Sequence, residues 1–265
     1  MIANVLTIAG TDPTGGAGIQ ADLKTFSALG AYAMSAITAV VAQNTQGVRS
    51  FISLDPEFVA DQIDAVFDDV RVDAVKIGMV ATARIAETIA DRLRHHGATN
   101  IVLDPVMVAK SGDHLLEADS VAAVLSELVP LSTVITPNLP EAGVLLGVEP
   151  EWTLEVMRER IVDLHRLGPQ WVLLKGGHLG SDATSTDLLL GTGEILELKA
   201  ERITTSNDHG TGCTLSAAVA ALLPSLSVED SAREAKRFVH RALASSGKLD
   251  VGKGHGPLHH FHGFW

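Results

Sequence analysis

Two kinds of apolar pattern alternate along the chain. Short runs that are apolar and rich in β-branched residues predict buried strands at Val5–Ile8, Ile37–Val41, Ala74–Ile77, Ile101–Leu103, Val134–Thr136 and Trp171–Leu174. The longer segments between them repeat their apolar residues at the helical period, as in Pro56–Val70 and Thr82–His96. Apolar strands separated by helices predict a mostly parallel central sheet with helices on both faces, which is a three-layer α/β sandwich.

The alternation changes in the last third of the chain. Asp187–Leu190 and Glu194–Leu198 flank Gly-Thr-Gly and predict a small β-hairpin at one edge of the sheet. Two further helices are predicted, at roughly Cys213–Leu223 and Val228–Ser246, before a tail rich in glycine and histidine. Because no linker or internal repeat interrupts the pattern, we expect one domain over residues 1–265.

The composition limits the kinds of molecule that the protein is expected to bind. The chain has 32 acidic and 20 basic residues and a formal net charge of −12, which disfavours nucleic-acid binding. A single cysteine cannot form an intramolecular disulfide and fits a reducing compartment. The N-terminus lacks the features of a signal peptide, and no apolar run reaches transmembrane length. We therefore expect a cytoplasmic protein with small-molecule ligands and with neither nucleic-acid nor membrane partners.

Polar and small residues follow the predicted strands. Ligands of open α/β sheets bind at the carboxyl ends of the strands, so these residues are the first candidates for a site. They are Thr11, Asp12, Gln43, Asn44, Gly78, Met79, Asp104, Asn138 and Lys175–Gly177.

The segment from Ala9 to Asp22 contains the pattern G-x-G-x-x-A of dinucleotide-binding folds, at residues 16–21. Thr11–Gly15 lie between the strand and this pattern, and Gln43-Asn44 stand where an acidic residue would hold the ribose, so a dinucleotide oxidoreductase is the least favoured alternative. A tight turn with a helix cap remains open. The other alternative is a backbone-lined rim of a pocket, in which Asp22 faces the ligand.

A second motif, Asn207–Ala218, leads through Gly210 and Gly212 into an alanine-rich helix. The free amide groups and the dipole of a helix N-terminus suit a phosphate. Cys213 would lie in the first turn, where the same field favours the thiolate, which could take a proton from a substrate hydroxyl or orient it. A buried, inert cysteine is the alternative. A Walker-type P-loop does not occur, so the glycine turn is the candidate phosphate site.

A third motif, Thr136–Ala142, places Asn138 and Glu141 three residues apart. The pair suits Mg²⁺ held largely through water and phosphates, but the spacing fits a helix capping box equally well. Asp104 is a candidate for the metal or phosphate network, or a turn residue. Lys175, which ends a buried strand, is a candidate for stabilising a transferring phosphoryl group.

The tail contains His255, His259, His260 and His262. A metal site is conceivable, but neither cysteine nor carboxylate accompanies these histidines in the tail. The interleaved apolar residues favour a packing role or an edge of the active site.

Taken together, these motifs resemble the hydroxymethylpyrimidine/phosphomethylpyrimidine kinases of thiamine biosynthesis, a branch of the ribokinase superfamily. The resemblance runs along the whole chain. Its markers are residues 8–13 through 21–24, 41–45, Lys76-Ile77-Gly78-Met79, Thr136–Glu141, Lys175-Gly176-Gly177-His178, Gly210–Cys213 and the tail rich in glycine and histidine.

The resemblance implies a ribokinase-like fold, ATP as phosphoryl donor, Mg²⁺, and a homodimer. It implies two successive phosphorylations, of the pyrimidine alcohol and then of its monophosphate. Gln43 would contact the pyrimidine edge, and the residues near the ring would be Gly10, Ala17, Asp22, Met79 and Val106. The catalytic group would comprise Cys213, Lys175, Gly210 and Gly212. The residues that bind ATP and Mg²⁺ would be Asn138, Asp104, Lys175, Thr211, Gly210, Gly212 and Glu141.

One departure qualifies the resemblance: Asp208 stands before His209, where we expect an uncharged residue. Pyridoxal kinases of the cysteine type resemble this chain too, but they use a second cysteine from a flap, and this chain has one cysteine. Pyridoxal kinase is therefore the alternative activity, and a non-catalytic ligand-binding regulator on the same scaffold is the alternative from another class.

Overall fold

A computed structural model of the protein describes residues 1–107, 118–177, 179–180 and 183–265. The strands are β1 Asn4–Ala9, β2 Tyr32–Ile37, β3 Ala39–Asn44, β4 Gly47–Ser53, β5 Ala74–Ile77, β6 Ile101–Leu103, β7 Val134–Ile135, β8 Trp171–Leu174, β9 Thr184–Leu190 and β10 Leu196–Glu201. The helices are α1 Gly18–Ala28, α2 Pro56–Phe67, α3 Ala83–His95, α4 Ala118–Ala123, α5 Leu139–Leu146, α6 Leu154–His165, α7 Thr211–Leu222 and α8 Val228–Ala244.

Eight strands form the central sheet, in the order β10-β9-β8-β7-β6-β5-β1-β2. Within this sheet β2, β1, β5, β6, β7 and β8 pair in parallel with their neighbours. The pairs β8–β9 and β9–β10 are antiparallel. The predicted hairpin is confirmed at this edge, although its strands are longer than predicted. The mostly parallel sheet is confirmed as well.

The prediction of one strand over Ile37–Val41 is wrong. The chain bends at Thr38, which is fully buried and whose hydroxyl donates to the Met79 carbonyl over 2.6 Å. β2 ends before this bend in the main sheet, and β3 begins after it and pairs with β4 in a separate two-stranded sheet. A continuous apolar run does not reveal such a bend, because both strands on either side of it need apolar residues. The mostly exposed strand β4 was not predicted.

Two apolar cores cover the two faces of the sheet, which confirms the three layers. One core contains Ile63 of α2, Ile85 and Ile89 of α3, and Ile161 of α6. The other contains Phe26 of α1 and the small buried residues of α7 and α8. The alanine-rich face of α7 lets this helix lie close against the sheet, which brings its N-terminus to the ends of the central strands. Among the described residues, no helix is long and apolar enough to cross a membrane.

A buried ion pair ties the last helix to the edge of the sheet. The Lys236 ammonium of α8 lies 2.7 Å from Asp187 of β9, and both side chains are about nine-tenths buried. The other carboxylate oxygen of Asp187 accepts a hydrogen bond from the Gly176 amide over 2.9 Å. The pair therefore also fixes the chain that follows β8.

We expect Lys236→Met to lower the free energy of unfolding by about 3 kcal/mol or more, because it leaves a buried carboxylate without its cation. Urea unfolding measures the change. The matched control is Lys199→Met, whose exposed pair with Glu197 should contribute less than about 1 kcal/mol. Equal losses in the two variants would show that the buried pair adds no stability of its own.

Candidate active site

One cavity of about 900 Å³ opens at the carboxyl ends of the central strands. It brings together nearly all the predicted site residues, which come from distant parts of the chain. Those lining it are Gly10, Ala17, Gln43, Met79, Asp104, Val106, Asn138, Glu141, Lys175, Gly210, Thr211, Gly212 and Cys213. The one predicted site residue that does not line it is Asp22.

The glycine turn before α7 depends on Gly210. Its φ is +82°, in the left-handed region, and a Cβ there would collide with the carbonyl oxygen of Gly16. The two glycine-rich loops therefore pack backbone to backbone. α7 starts at Thr211 without a side-chain cap or an acidic residue in its first turn. The Thr211 amide donates to the Asp208 carbonyl over 3.3 Å, whereas the amide groups of Gly212 and Cys213 lack intrahelical acceptors, as an anion site requires.

A lysine lies directly against this turn. The Lys175 ammonium is 2.9 Å from Asp104 Oδ1 and 3.8 Å from Glu141 Oε2. A Cβ on Gly212 would lie 3.0 Å from the Lys175 nitrogen, so the ammonium and the start of α7 are in contact. The cation and the helix N-terminus thus converge on one place.

The charges of this group depend on one another. Burial alone would lower the pKa of Lys175, but Asp104 and Glu141 raise it above its ordinary value. Burial alone would raise the pKa of Asp104, but Lys175 and Lys76 hold it below its usual range. Burial raises the pKa of Glu141, against the opposing effect of Lys175. Lys175 and Asp104 are therefore both charged at neutral pH.

Asn138 and Glu141 form the capping box of α5. The Asn138 amide donates to Glu141 Oε2 over 2.7 Å, and the Glu141 amide donates to Asn138 Oδ1 over 2.9 Å. The capping alternative is therefore confirmed. It leaves Glu141 Oε1 and Asp104 Oδ2 without a hydrogen bond from the described residues, so two carboxylate oxygens remain for other ligands.

Gln43 lines the same cavity, near the end of β3. The register of β3 and β4 shifts between Ala42 and Gln43. The Gln43 side chain is half-buried and makes no hydrogen bond with the described residues, so its amide can pair with a ligand. Nearby, the Met79 sulfur approaches Gly10, where a Cβ would lie 3.3 Å from it. This end of the cavity therefore combines an apolar wall with one polar amide.

Asp12 organises the first glycine loop. Its Oδ2 accepts the amide groups of Gly16 and Ala17, over 3.1 and 2.8 Å, and lies 2.8 Å from His209 Nε2. Its Oδ1 accepts both the amide and the hydroxyl of Thr14. These loop amide groups already donate hydrogen bonds within the protein, so they do not form the pyrophosphate site of a dinucleotide fold.

Asp22, which we expected to face the ligand, does not line the cavity in this structure. Asp22 is fully buried, accepts the Thr7 hydroxyl over 2.6 Å and lies 2.9 Å from the Lys76 ammonium. Lys76, not Asp22, lines the cavity. Sequence analysis did not identify Lys76 as a site residue, although a lysine inside the apolar strand Ala74–Ile77 was a usable signal.

The expectation of a resting thiolate at Cys213 is also corrected. Cys213 lies in the first turn of α7, as predicted, and remains partly exposed. Burial raises the pKa of the Cys213 thiol to about 11, and Lys76 is the strongest influence in the opposite direction. Desolvation of the charged sulfur is the largest influence on this pKa, so the neutral thiol is the favoured resting form.

The histidine-rich tail has the packing role that the sequence favours. The amide of His255 donates to the Thr45 carbonyl, and the Gly256 carbonyl accepts the His209 amide. His259 and His260 are buried, and His260 Nε2 lies 3.0 Å from the Thr214 hydroxyl. No cluster of metal-binding side chains is found within the described ranges. The unexpected Asp208 carboxylate lies 3.0 Å from His255 Nδ1, on the tail.

Comparison with known proteins fits this geometry. A family model described as phosphomethylpyrimidine kinase matches residues 12–259. A hydroxymethylpyrimidine/phosphomethylpyrimidine kinase of Escherichia coli is 54% identical over 263 residues, covering 99% of this chain and 98% of that protein.

Solved structures give the same result. A phosphomethylpyrimidine kinase from Clostridium difficile superposes with a TM-score of 0.81 at 39% identity, covering 91% of this chain and 99% of that one. A pyridoxal kinase from Staphylococcus aureus, in complex with AMP-PCP and pyridoxal, gives 0.89 at 32% identity, covering 99% and 94%. The predicted ribokinase-like fold is confirmed, and the full-length match shows that this chain belongs to the phosphomethylpyrimidine kinase family.

Proposed function

We propose that this protein is an ATP-dependent kinase that phosphorylates 4-amino-5-hydroxymethyl-2-methylpyrimidine and then its monophosphate. One observation carries the proposal. A single cavity joins a helix N-terminus, the Lys175 ammonium and the Cys213 thiol to an apolar wall with one free amide at Gln43. Full-length relatives at about half identity are named as kinases of this pyrimidine and its phosphate, which supports the same assignment.

The end of the cavity around Gln43 suits the pyrimidine. An amide donates and accepts along one edge, which matches a ring nitrogen beside an amino group. Ala17, Met79 and Val106 would contact the ring, since all three line the cavity. In this arrangement the hydroxymethyl group points towards Cys213.

The other end suits phosphoryl transfer. Such reactions leave little covalent chemistry to the protein, so positioning and charge stabilisation dominate. The amide groups of Gly210, Gly212 and Cys213 would hold the transferring group, and Lys175 would neutralise the charge that develops on it. Thr211 and Asn138 would contact the nucleotide. Asp104 keeps Lys175 charged and in place.

Mg²⁺ fits the carboxylate pair. It usually binds through one or two carboxylates together with water and substrate phosphates, so a complete protein cage is unnecessary. Asp104 and Glu141 would hold it through the two carboxylate oxygens that the hydrogen bonds leave over. Bound there, the ion would neutralise phosphate charge. Asn138 contributes by holding Glu141 in the capping box, because its own oxygen is used there.

Cys213 is proposed to take the proton of the substrate hydroxyl. Because the resting thiol is neutral, the reactive thiolate is a minor form at neutral pH. Its population rises as the pH approaches the pKa of the thiol. In enzyme molecules whose Cys213 is protonated, the thiol can still orient the substrate hydroxyl through a weak hydrogen bond.

Pyridoxal is the second candidate substrate, because a structural relative of known fold is described in complex with pyridoxal. A homodimer is proposed from the exposed apolar side chains of the two-stranded sheet, Val40, Phe51 and Ile52, the last 72% exposed. A cytoplasmic location stays a prediction that rests on the single cysteine.

The assignment predicts ATP consumption that depends on the pyrimidine. A coupled assay of ADP release should detect turnover with the pyrimidine alcohol and with its monophosphate, and much less with pyridoxal. Gln43→Leu should reduce kcat/KM for the pyrimidine about ten- to hundredfold, because it leaves ring donors and acceptors unpaired. Turnover of pyridoxal alone would replace the proposed substrate by the second candidate, and absence of any turnover would favour a ligand-binding regulator.

Glu141→Gln is expected to raise the Mg²⁺ concentration required for half-maximal rate several-fold. The substitution removes the charge and keeps an oxygen for the capping box, so the melting temperature should stay within about 2 °C. Glu149→Gln, at an exposed position beyond the same helix, is the control for charge. A lower melting temperature with unchanged Mg²⁺ dependence would restrict Glu141 to the capping role.

Cys213 should give the reaction a distinctive pH dependence. The thiol pKa is raised, so the active thiolate increases with pH, and kcat should rise between about pH 7 and 9. Cys213→Ala should lower kcat by about 10²–10⁴-fold and flatten this profile. Cys213→Asp restores an acceptor that ionises at lower pH, so part of the rate should return without the rise. A wild-type profile as flat as that of Cys213→Ala would contradict proton transfer to sulfur.

A further inference from the structure

Lys76 has the most completely buried charge among the described residues that line the cavity. It lies in β5, with none of its side chain exposed, yet it borders the same cavity as Cys213. Burial alone would lower the pKa of Lys76, but Asp22 and the other acidic groups around it raise it. The side chain is therefore a permanent cation beneath the site.

A purely structural role explains the Lys76–Asp22 ion pair poorly. An ammonium group has three donors, and Asp22 is the one hydrogen-bond acceptor that Lys76 has among the described residues. Asp22 Oδ1 is buried and accepts no hydrogen bond within the described part of the chain. A buried ion pair that is only partly satisfied stabilises a fold less than apolar residues of similar size.

The chain also leaves space for this ammonium. Gly78 follows β5, and a Cβ there would lie 2.8 Å from the Lys76 nitrogen. A side chain at residue 78 would therefore displace the cation. The Gly78 amide is fixed by a hydrogen bond to the Ile8 carbonyl, so the backbone cannot move away easily.

The groups that face Cys213 come from four elements. Lys76 comes from β5, Asp22 from α1, Asp104 from the end of β6 and Lys175 from the end of β8. Of these, the two aspartates disfavour a negative charge on the sulfur, whereas Lys76 favours it most strongly. The Gly18 amide, at the start of α1, acts in the same direction as Lys76.

We propose that Lys76, held in place by Asp22, is a positioning residue of the phosphoryl-transfer site that acts through Cys213 by stabilising its thiolate. The inference rests on the proposed function. In the transfer step the substrate O–H bond breaks as S–H forms, and the new O–P bond forms as the bond between the γ-phosphorus and ADP breaks. Lys76 increases the fraction of enzyme that can accept this proton.

The first test needs no substrate, so it is independent of the proposed activity. Cys213 is the single cysteine, so its reaction with iodoacetamide at pH 8 reports the thiolate population directly. Lys76→Met should slow the reaction by about threefold or more, and Asp22→Asn should accelerate it by about as much. Lys253→Met, at an exposed position of the tail, is the control for net charge and should leave the rate unchanged.

The second test is a double-mutant cycle on kcat. Lys76→Met should lower kcat in the wild-type protein by about tenfold and leave the residual kcat of Cys213→Ala unchanged, since both act through one group. An equal loss in both backgrounds would overturn the proposal, because Lys76 would then act on the substrate or phosphate directly. Unchanged alkylation in both single variants would overturn it as well, without touching the kinase assignment.

If Lys76→Met fails to fold, the double variant Lys76→Met/Asp22→Leu replaces it in the test. This variant removes both members of the ion pair, so it contains no unpaired buried charge. The influence of Lys76 on the thiol exceeds that of Asp22, so this double variant should be alkylated more slowly than wild type. Alkylation at the wild-type rate or faster would overturn the proposal.

Discussion

Compensation of buried lysine charge is the constraint on which the site depends. Three lysines, from β5, β8 and α8, bring ammonium groups to the ends of the strands, where water is largely excluded. Each needs a carboxylate from a different element, because an unpaired charge in this environment costs several kcal/mol. The pairs Lys76–Asp22, Lys175–Asp104 and Lys236–Asp187 therefore fix α1, the end of β6, and β9 relative to the lysines. The geometry of the cavity follows from these three contacts.

Electrostatic opposition within this arrangement explains how a neutral thiol can serve the chemistry. Burial disfavours a negative charge on Cys213, and so do Asp104 and Asp22, which also pair with Lys175 and Lys76. Lys76 and the backbone at the start of α1 act against them. The balance holds the resting sulfur protonated but near groups that stabilise its charged form.

Most of the fold could be predicted, since fully apolar strands and amphipathic helices carry strong local patterns. Five of the six predicted single strands correspond to strands of the sheet, and the motif residues meet at its carboxyl edge as expected. Each error has an identifiable cause. The bend at Thr38 depends on a hydrogen bond to Met79, which is distant in sequence. The capping box of Asn138 and Glu141 could not be separated from a metal site, because the spacing serves both.

Periodicity and side-chain chemistry were enough to predict most of the elements, their order and the residue types at the strand ends. Which charge faces the cavity depends instead on how the folded chain packs. Asp22 and Lys76 are far apart in the chain, and packing of α1 against the sheet turns the carboxylate inward and leaves the ammonium at the cavity. It also decided the protonation of Cys213. The first turn of a helix favours a thiolate, but desolvation by the surrounding elements is a property of the folded whole and is the largest influence on the pKa of this thiol.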